Sequence, residues 1–350
     1  MKVLVYGEFS GYGKSIAKGL SDNGIQSDVF SVIGDGWKDI QGDFSIRNGN
    51  KAAKLLQLLK FIPRILSYDH ILVVNPIFMD FKYLGPLILF LARMKGIKLH
   101  LLCCGDDYEF VKQGKAGRLG EWPYIDIELP SKQYYSTFSD RIIHRLVARS
   151  VVNIIPTMYD YAEAWRLSNY SCKVRSTVPL ACDGEPIECI KITKNKLTIM
   201  HGINRPGFKG SEKIINALNR LKSEYPNRVN IVLPEKLPLV EYLKVMKDVD
   251  IAIDQTKGNS YGMNAIYSMF NGQIVLAPAN KKFDGDVGIK NNPLVKIFNC
   301  ESNIYNNLED LIKKENSELD KIKVKSISYA CELHSPKVVA SKLLKIICDN

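Results

Sequence analysis

The chain has 350 residues, 46% of them hydrophobic and 24% charged, with a net charge of +11. That length buries either one large core or two of ordinary size, and two domains is the better reading. The positive balance is spread almost evenly over the two halves, which excludes a basic tail and suits anionic partners in general.

The chain opens on the apolar run Lys2–Tyr6, followed by Gly7-Glu8-Phe9-Ser10-Gly11-Tyr12-Gly13-Lys14-Ser15. Counting back from Gly13, a phosphate-binding P-loop needs glycine where Glu8 stands, and a dinucleotide fingerprint needs a third glycine where Ile16 stands. The segment therefore reads as a glycine-permitted strand-to-helix turn at the carboxyl edge of a parallel sheet. Further strands are expected at Val29–Val32, His70–Val74, Lys98–Cys103 and Val151–Ile155, with helices near 13–23, 50–66, 82–95 and 138–149. After the aperiodic stretch 176–195 the pattern restarts: strands at Leu197–Met200, Val229–Leu233, Asp250–Ile253 and Gln273–Leu276, and helices near 211–223, 238–247 and 262–271. The tail from Leu319 to Asp349 is helical in pattern and divided at His334-Ser335-Pro336. Near-continuous apolar strands separated by helices indicate α/β architecture with parallel sheets covered on both faces, twice over. The expected domains are residues 1–178, 179–335, and a closing helix over 336–350.

Eight cysteines occur, none in a Cys-x-x-Cys pair, so they read as reduced, small apolar groups of a cytoplasmic protein. Lys2 and Glu8 argue against a signal peptide. The longest uncharged apolar run, Tyr83 to Ala92, is far short of the roughly 20 residues that span a bilayer. Around 61–66 and 81–93, apolar residues mix with Lys60, Arg64, Lys82, Arg93 and Lys95, which fits helices packed on a sheet and also peripheral contact with an anionic membrane. Nucleic acid is not expected as a partner, for no basic, aromatic-interleaved stripe is present.

Two segments carry the chemistry. His201-Gly202-Ile203-Asn204-Arg205-Pro206-Gly207-Phe208-Lys209-Gly210-Ser211 leaves a strand and enters a helix, placing Arg205 and Lys209 at a crossover where two cations can hold a diphosphate. Gly258-Asn259-Ser260-Tyr261-Gly262 precedes a short helix whose exposed amide end would attract an anion, and Gly272 suits its C-terminal stop.

Those segments resemble the GT-B glycosyltransferases, in particular the retaining group called family 4 or glycosyl transferases group 1. The family's Glu-x7-Glu segment, E-S-F-G-L-x-x-x-E-A-M-A-C-G-x-P-V-I-A, aligns Ser260-Tyr261-Gly262 with S-F-G, Met269 with M and Gly272 with G. Gly105-Asp106-Asp107 looks like the Gly-x-Asp turn of the family's first domain. Both signature glutamates are replaced, the first by Asn259 and the second by Tyr267. The resemblance implies a GT-B fold of two Rossmann-like, doubly wound domains facing a cleft, with C-terminal helices returning toward the N-terminal domain. It implies a hexosyltransferase-type enzyme that takes a nucleotide-sugar donor and a glycan or polyprenyl-linked glycan acceptor, without a cofactor or an obligatory metal. It would work in bacterial surface polysaccharide synthesis (O-antigen or capsule), in the cytoplasm or at the inner face of the membrane. Carried over residue by residue, Arg205 and Lys209 clamp the diphosphate, and Asn259, Ser260, Tyr261, Gly262 and Tyr267 line the donor side. Gly11, Tyr12 and Gly13 lie on the acceptor side, and Asp107 and His201 are the candidates for acting on the sugar. The missing glutamates leave open a catalytically silent relative that binds nucleotide sugar or glycan.

Overall fold

The computed structural model describes residues 1–32, 40–46, 49–128, 137–188, 190–278 and 280–349. It divides into two compact units. The first comprises residues 1–120, 128–183 and 336–350, and the second residues 121–127 and 184–335. Residues 121–127 and 179–183 thus fall on the other side of the division from the boundaries read off the sequence.

In the first unit the elements are β1 (Lys2–Tyr6), α1 (Tyr12–Asp22), β2 (Gln26–Ser31), β3 (Phe44–Ser45), α2 (Lys51–Ile65), β4 (His70–Val73), α3 (Gly85–Met94), β5 (Lys98–Leu101), α4 (Tyr108–Lys115), α5 (Phe138–Ser150), β6 (Asn153–Ile154) and α6 (Tyr159–Arg166). The strands form one parallel sheet in the order β3-β2-β1-β4-β5-β6. Strand order reverses between β1 and β4, and open α/β sheets place ligands outside the carboxyl ends of the strands at such a point. The central strands are buried on both faces, which explains why they read as unbroken apolar runs.

The second unit contains β7 (Leu197–His201), α7 (Pro206–Lys209), α8 (Ser211–Glu224), β8 (Val229–Val232), α9 (Leu239–Met246), β9 (Ile251–Ile253), α10 (Met263–Phe270), β10 (Ile274–Ala277), α11 (Lys281–Val287), β11 (Val295–Lys296), α12 (Glu301–Lys313) and α13 (Asn316–His334). Helix α14 (Pro336–Cys348) returns to the count of the first unit. This sheet is also parallel, in the order β11-β10-β9-β7-β8. Its reversal lies between β7 and β9. Ile199, Ile251, Ile253 and Leu276 from the strands pack with Ile214, Leu218 and Leu221 of α8 in one buried cluster, each such side chain contributing about 1.5–3 kcal/mol of burial.

Short elements escaped the sequence reading: β3, β11, α4, α6, α7 and α11, together with the longer α12. Two-residue strands and helices of one or two turns carry too few positions to show a period.

The opening turn is closed by its own carboxylate. Glu8 is buried, and its two side-chain oxygens accept from the Gly11 N–H (2.7 Å) and the Lys14 N–H (2.9 Å). The amide end of α1 is therefore already satisfied by an internal anion. A Cβ at Gly13 would stand 2.7 Å from the Gly7 carbonyl oxygen and 2.8 Å from Glu8 Oε2, so this glycine makes room for the carboxylate, not for a nucleotide.

Candidate functional site

At the reversal between β7 and β9, the strands end on His201 and Ile253, and the chain continues from Ile253 into Asp254. Asp254 organises the place. Its Oδ1 accepts from the Lys209 ammonium at 3.0 Å and its Oδ2 from the Gly262 N–H at 2.8 Å. The crossover cation and the amide end of α10 therefore converge on one buried carboxylate. Burial pushes the Asp254 carboxyl up, but Lys209 and the Gly262 amide outweigh it and hold it below the usual carboxylate range.

The crossover loop is pinned from behind. The Lys209 carbonyl accepts from the Thr256 N–H (3.0 Å) and the Thr256 hydroxyl (3.2 Å). Gly210 has φ of +71°, and a Cβ there would lie 2.1 Å from Thr256 Oγ1. Only glycine permits both the left-handed turn and the approach.

Arg205 takes a different partner from Lys209. Its guanidinium lies over the Phe208 ring, 4.0 Å from the centroid, and donates to the Tyr124 hydroxyl. Tyr124 packs edge-on against Phe208 and against Trp122. This packing places residues 121–127 in the second unit. Aromatic stacking fixes the plane of the guanidinium, so its fork of donors is preorganised at the carboxyl edge of the sheet.

Several residues expected to face a ligand are committed elsewhere. Asp107 is 1% exposed and caps α4: its Oδ1 accepts from the Phe110 N–H (2.9 Å) and its Oδ2 from the Trp165 indole N–H (2.7 Å). Burial raises its pKa. It is a structural cap, not a group presented to a sugar. His201 is fully buried; its Nδ1–H donates to the Ile253 carbonyl (2.9 Å), so that Nε2 accepts from the Ser211 hydroxyl (2.8 Å). It holds β7, β9 and the start of α8 together, and no face of it is offered to substrate.

Tyr12 is buried too, its hydroxyl without a hydrogen-bond partner among the described residues. Gly11 begins α1 in the left-handed conformation, φ of +86°. Gly13 serves Glu8 as described above. The donor-side loop is buried as well. The Asn259 side-chain oxygen accepts from Asn280, the Ser260 carbonyl accepts from Gln255, and the Tyr261 hydroxyl meets Tyr329 (2.9 Å) and His334 (2.8 Å). The loop is thus held rigidly from within, and of these residues Gly262 contributes its backbone to the carboxylate. Tyr267 is buried on α10, the ordinary place for an aromatic residue in an apolar helix. Lys209, expected as a direct clamp, pairs with Asp254, the residue that follows β9.

His201 sets a pH dependence. Burial, with the Lys209 charge adding to it, pushes its pKa down to about 4. A histidine held neutral in the fold but free to protonate near 6.5 when unfolded stabilises fully above about pH 6.5, and that contribution disappears as pH falls toward 4. We expect urea unfolding to lose about 3 kcal/mol across this window on account of this residue, and the slope to flatten in His201→Gln.

No protein-family model matches the sequence, and no curated protein is similar to it in sequence. Solved structures are similar in fold. Anabaena HepE in complex with UDP-glucose is 14% identical, with all of both chains covered and a TM-score of 0.63. Sucrose-phosphate synthase from Thermosynechococcus elongatus is 13% identical over 99% of this chain and 98% of that one, with a TM-score of 0.62. S. aureus MnaA with UDP is 15% identical over 99% and 95%, with a TM-score of 0.53. The two parallel, doubly wound sheets and these likenesses together establish that the chain has the GT-B fold.

Proposed function

We propose that the second unit binds a nucleotide sugar and that the protein transfers the sugar to a glycan or polyprenyl-linked glycan acceptor, as a divergent relative of family 4. The single observation that carries this is the preorganised guanidinium of Arg205, held over the Phe208 ring on the crossover that leaves β7 at the sheet reversal. Similar structures in complex with UDP-glucose (HepE) and UDP (MnaA) support a nucleoside diphosphate as the anion of the ligand. Asp254 neutralises Lys209 and fixes both Lys209 and α10 before the ligand arrives, so little ordering remains to be done on binding. The forked guanidinium of Arg205 then takes the diphosphate oxygens.

In transfer, the bond between the anomeric carbon and the diphosphate breaks, and the acceptor oxygen bonds that carbon and gives its proton to the departing diphosphate. The charge developing on the leaving diphosphate is stabilised by Arg205, with no obligatory metal. Retention of anomeric configuration, a role in surface polysaccharide synthesis and a place at the inner face of the membrane belong to the same reading, supported by the Ser260-Tyr261-Gly262 and Gly272 match.

One observation favours a second reading, a nucleotide-sugar or glycan binder that performs no transfer. Asp107 and His201, the two side chains expected to act on the sugar, are each hydrogen-bonded on both sides inside their own unit. Incubation with UDP-, GDP-, ADP- and CMP-sugars labelled in the sugar separates the two. Release or transfer of label by the wild type, reduced at least about a hundredfold in Arg205→Ala, supports the enzyme. Saturable binding without release supports the binder, and no binding of any donor overturns both.

A further inference from the structure

Helix α2 is apolar on two faces, one packed on the sheet and one exposed. Leu58 and Ile65 are buried, and Phe61 packs against the rings of Phe30 and Phe44. On the opposite side Leu55, Leu56 and Leu59 are exposed, Leu56 to 59%. With Ala52 they occupy positions i, i+3, i+4 and i+7, a continuous stripe along the helix. Sheet packing explains the first face, and among the described residues nothing covers the second.

A neighbouring helix repeats the pattern. Both α2, which joins β3 to β4, and α3, which joins β4 to β5, run in the same direction across the sheet, opposite to α1. Right-handed crossovers therefore put α2 and α3 on one side of it. On α3, Phe90 and Met94 are 60% and 72% exposed. Residues 51–67 and 81–98, which contain the two helices, carry eight basic side chains and no acidic one, in a chain with 37 acidic residues.

We propose that the outward face of α2 and α3 docks on an anionic lipid surface. The cores of protein interfaces are depleted of charge, whereas here Lys51 lies one turn before Leu55 and Lys60 one turn after Leu56 on the helix, and Arg93 lies one turn after Phe90. Such a pattern lets the leucines enter the acyl boundary while the ammonium groups reach lipid phosphates. Helix α2, at 15 residues, lies in the interface rather than crossing it. The inference holds whatever reaction the second unit carries out.

The test is co-sedimentation of the full chain with vesicles of phosphatidylcholine alone and with added phosphatidylglycerol. Binding is expected on the anionic vesicles at low salt, weakening as salt rises. Leu55→Glu/Leu59→Glu and, separately, Lys51→Glu/Lys60→Glu should each lower it at least about tenfold. All four side chains are exposed, so the variants fold, which circular dichroism checks. Absence of binding at low salt, or binding that both variants leave unchanged, overturns the proposal. A concentration-dependent dimer that Leu55→Glu/Leu59→Glu abolishes would overturn it also, assigning the stripe to a second copy of the chain.

Discussion

Asp254→Ala is expected to destabilise the second unit by about 3–5 kcal/mol, because it strands the Lys209 ammonium in a buried place and leaves the Gly262 N–H without its acceptor. The wild-type ion pair is not in itself a large source of stability, since desolvation offsets most of the attraction; the cost lies in removing one partner. A Lys209→Met change in the Asp254→Ala background should therefore recover a large part of the loss, which a double-mutant cycle in urea unfolding measures. Asp254→Asn, which keeps an acceptor for the amide, should fall between the two. If Asp254→Ala unfolds within 1 kcal/mol of the wild type, the pair is not the buried anchor described above. Acid separates this pair from His201: a carboxyl held below its usual range contributes stability at neutral pH that is lost only as pH falls through that depressed value, beneath the window in which His201 acts.

The second large effect is expected at Asp107. Its replacement by alanine removes an N-cap, worth about 0.5–2 kcal/mol, and leaves the Trp165 indole N–H buried without an acceptor, worth about 1–3 kcal/mol more. Asp107→Ala should thus unfold in urea at a midpoint well below the wild type. Were Asp107 a group that touches the sugar, the variant would keep its stability and lose only turnover. The two outcomes are distinguishable in one preparation.

The difference between those roles shows where a sequence stops being informative. The two series of apolar strands and helices are legible because burial on both faces forces unbroken runs such as Val3-Leu4-Val5-Tyr6 and Ile274-Val275-Leu276-Ala277. The crossover holding Arg205 and Lys209 is legible because a strand-to-helix turn at a carboxyl edge has few places to go. Which donors and acceptors are already consumed is not legible. Glu8 and Asp254 are both carboxylates at strand ends, and each closes the amide end of a helix that the sequence presents as open. Nothing in their spacing distinguishes an internal anion from a space left for an external one. Asp107 is the partial exception. An aspartate placed directly before an amphipathic segment, with Glu109 in the first turn, is an N-cap signal. Tyr267 illustrates the converse: where the family has a glutamate, the apolar surroundings of α10 alone identify it as a core residue.

The account rests on an oxyanion being bound at the reversal between β7 and β9, with Arg205 as the side chain that meets it. Isothermal titration of UDP and the other nucleoside diphosphates into the wild type and into Arg205→Ala tests this most directly. One nucleoside diphosphate should bind the wild type, with at least about tenfold weaker affinity in Arg205→Ala, a variant that remains folded in the absence of ligand. Equal affinity in both proteins, or no heat from any nucleoside diphosphate, would contradict it.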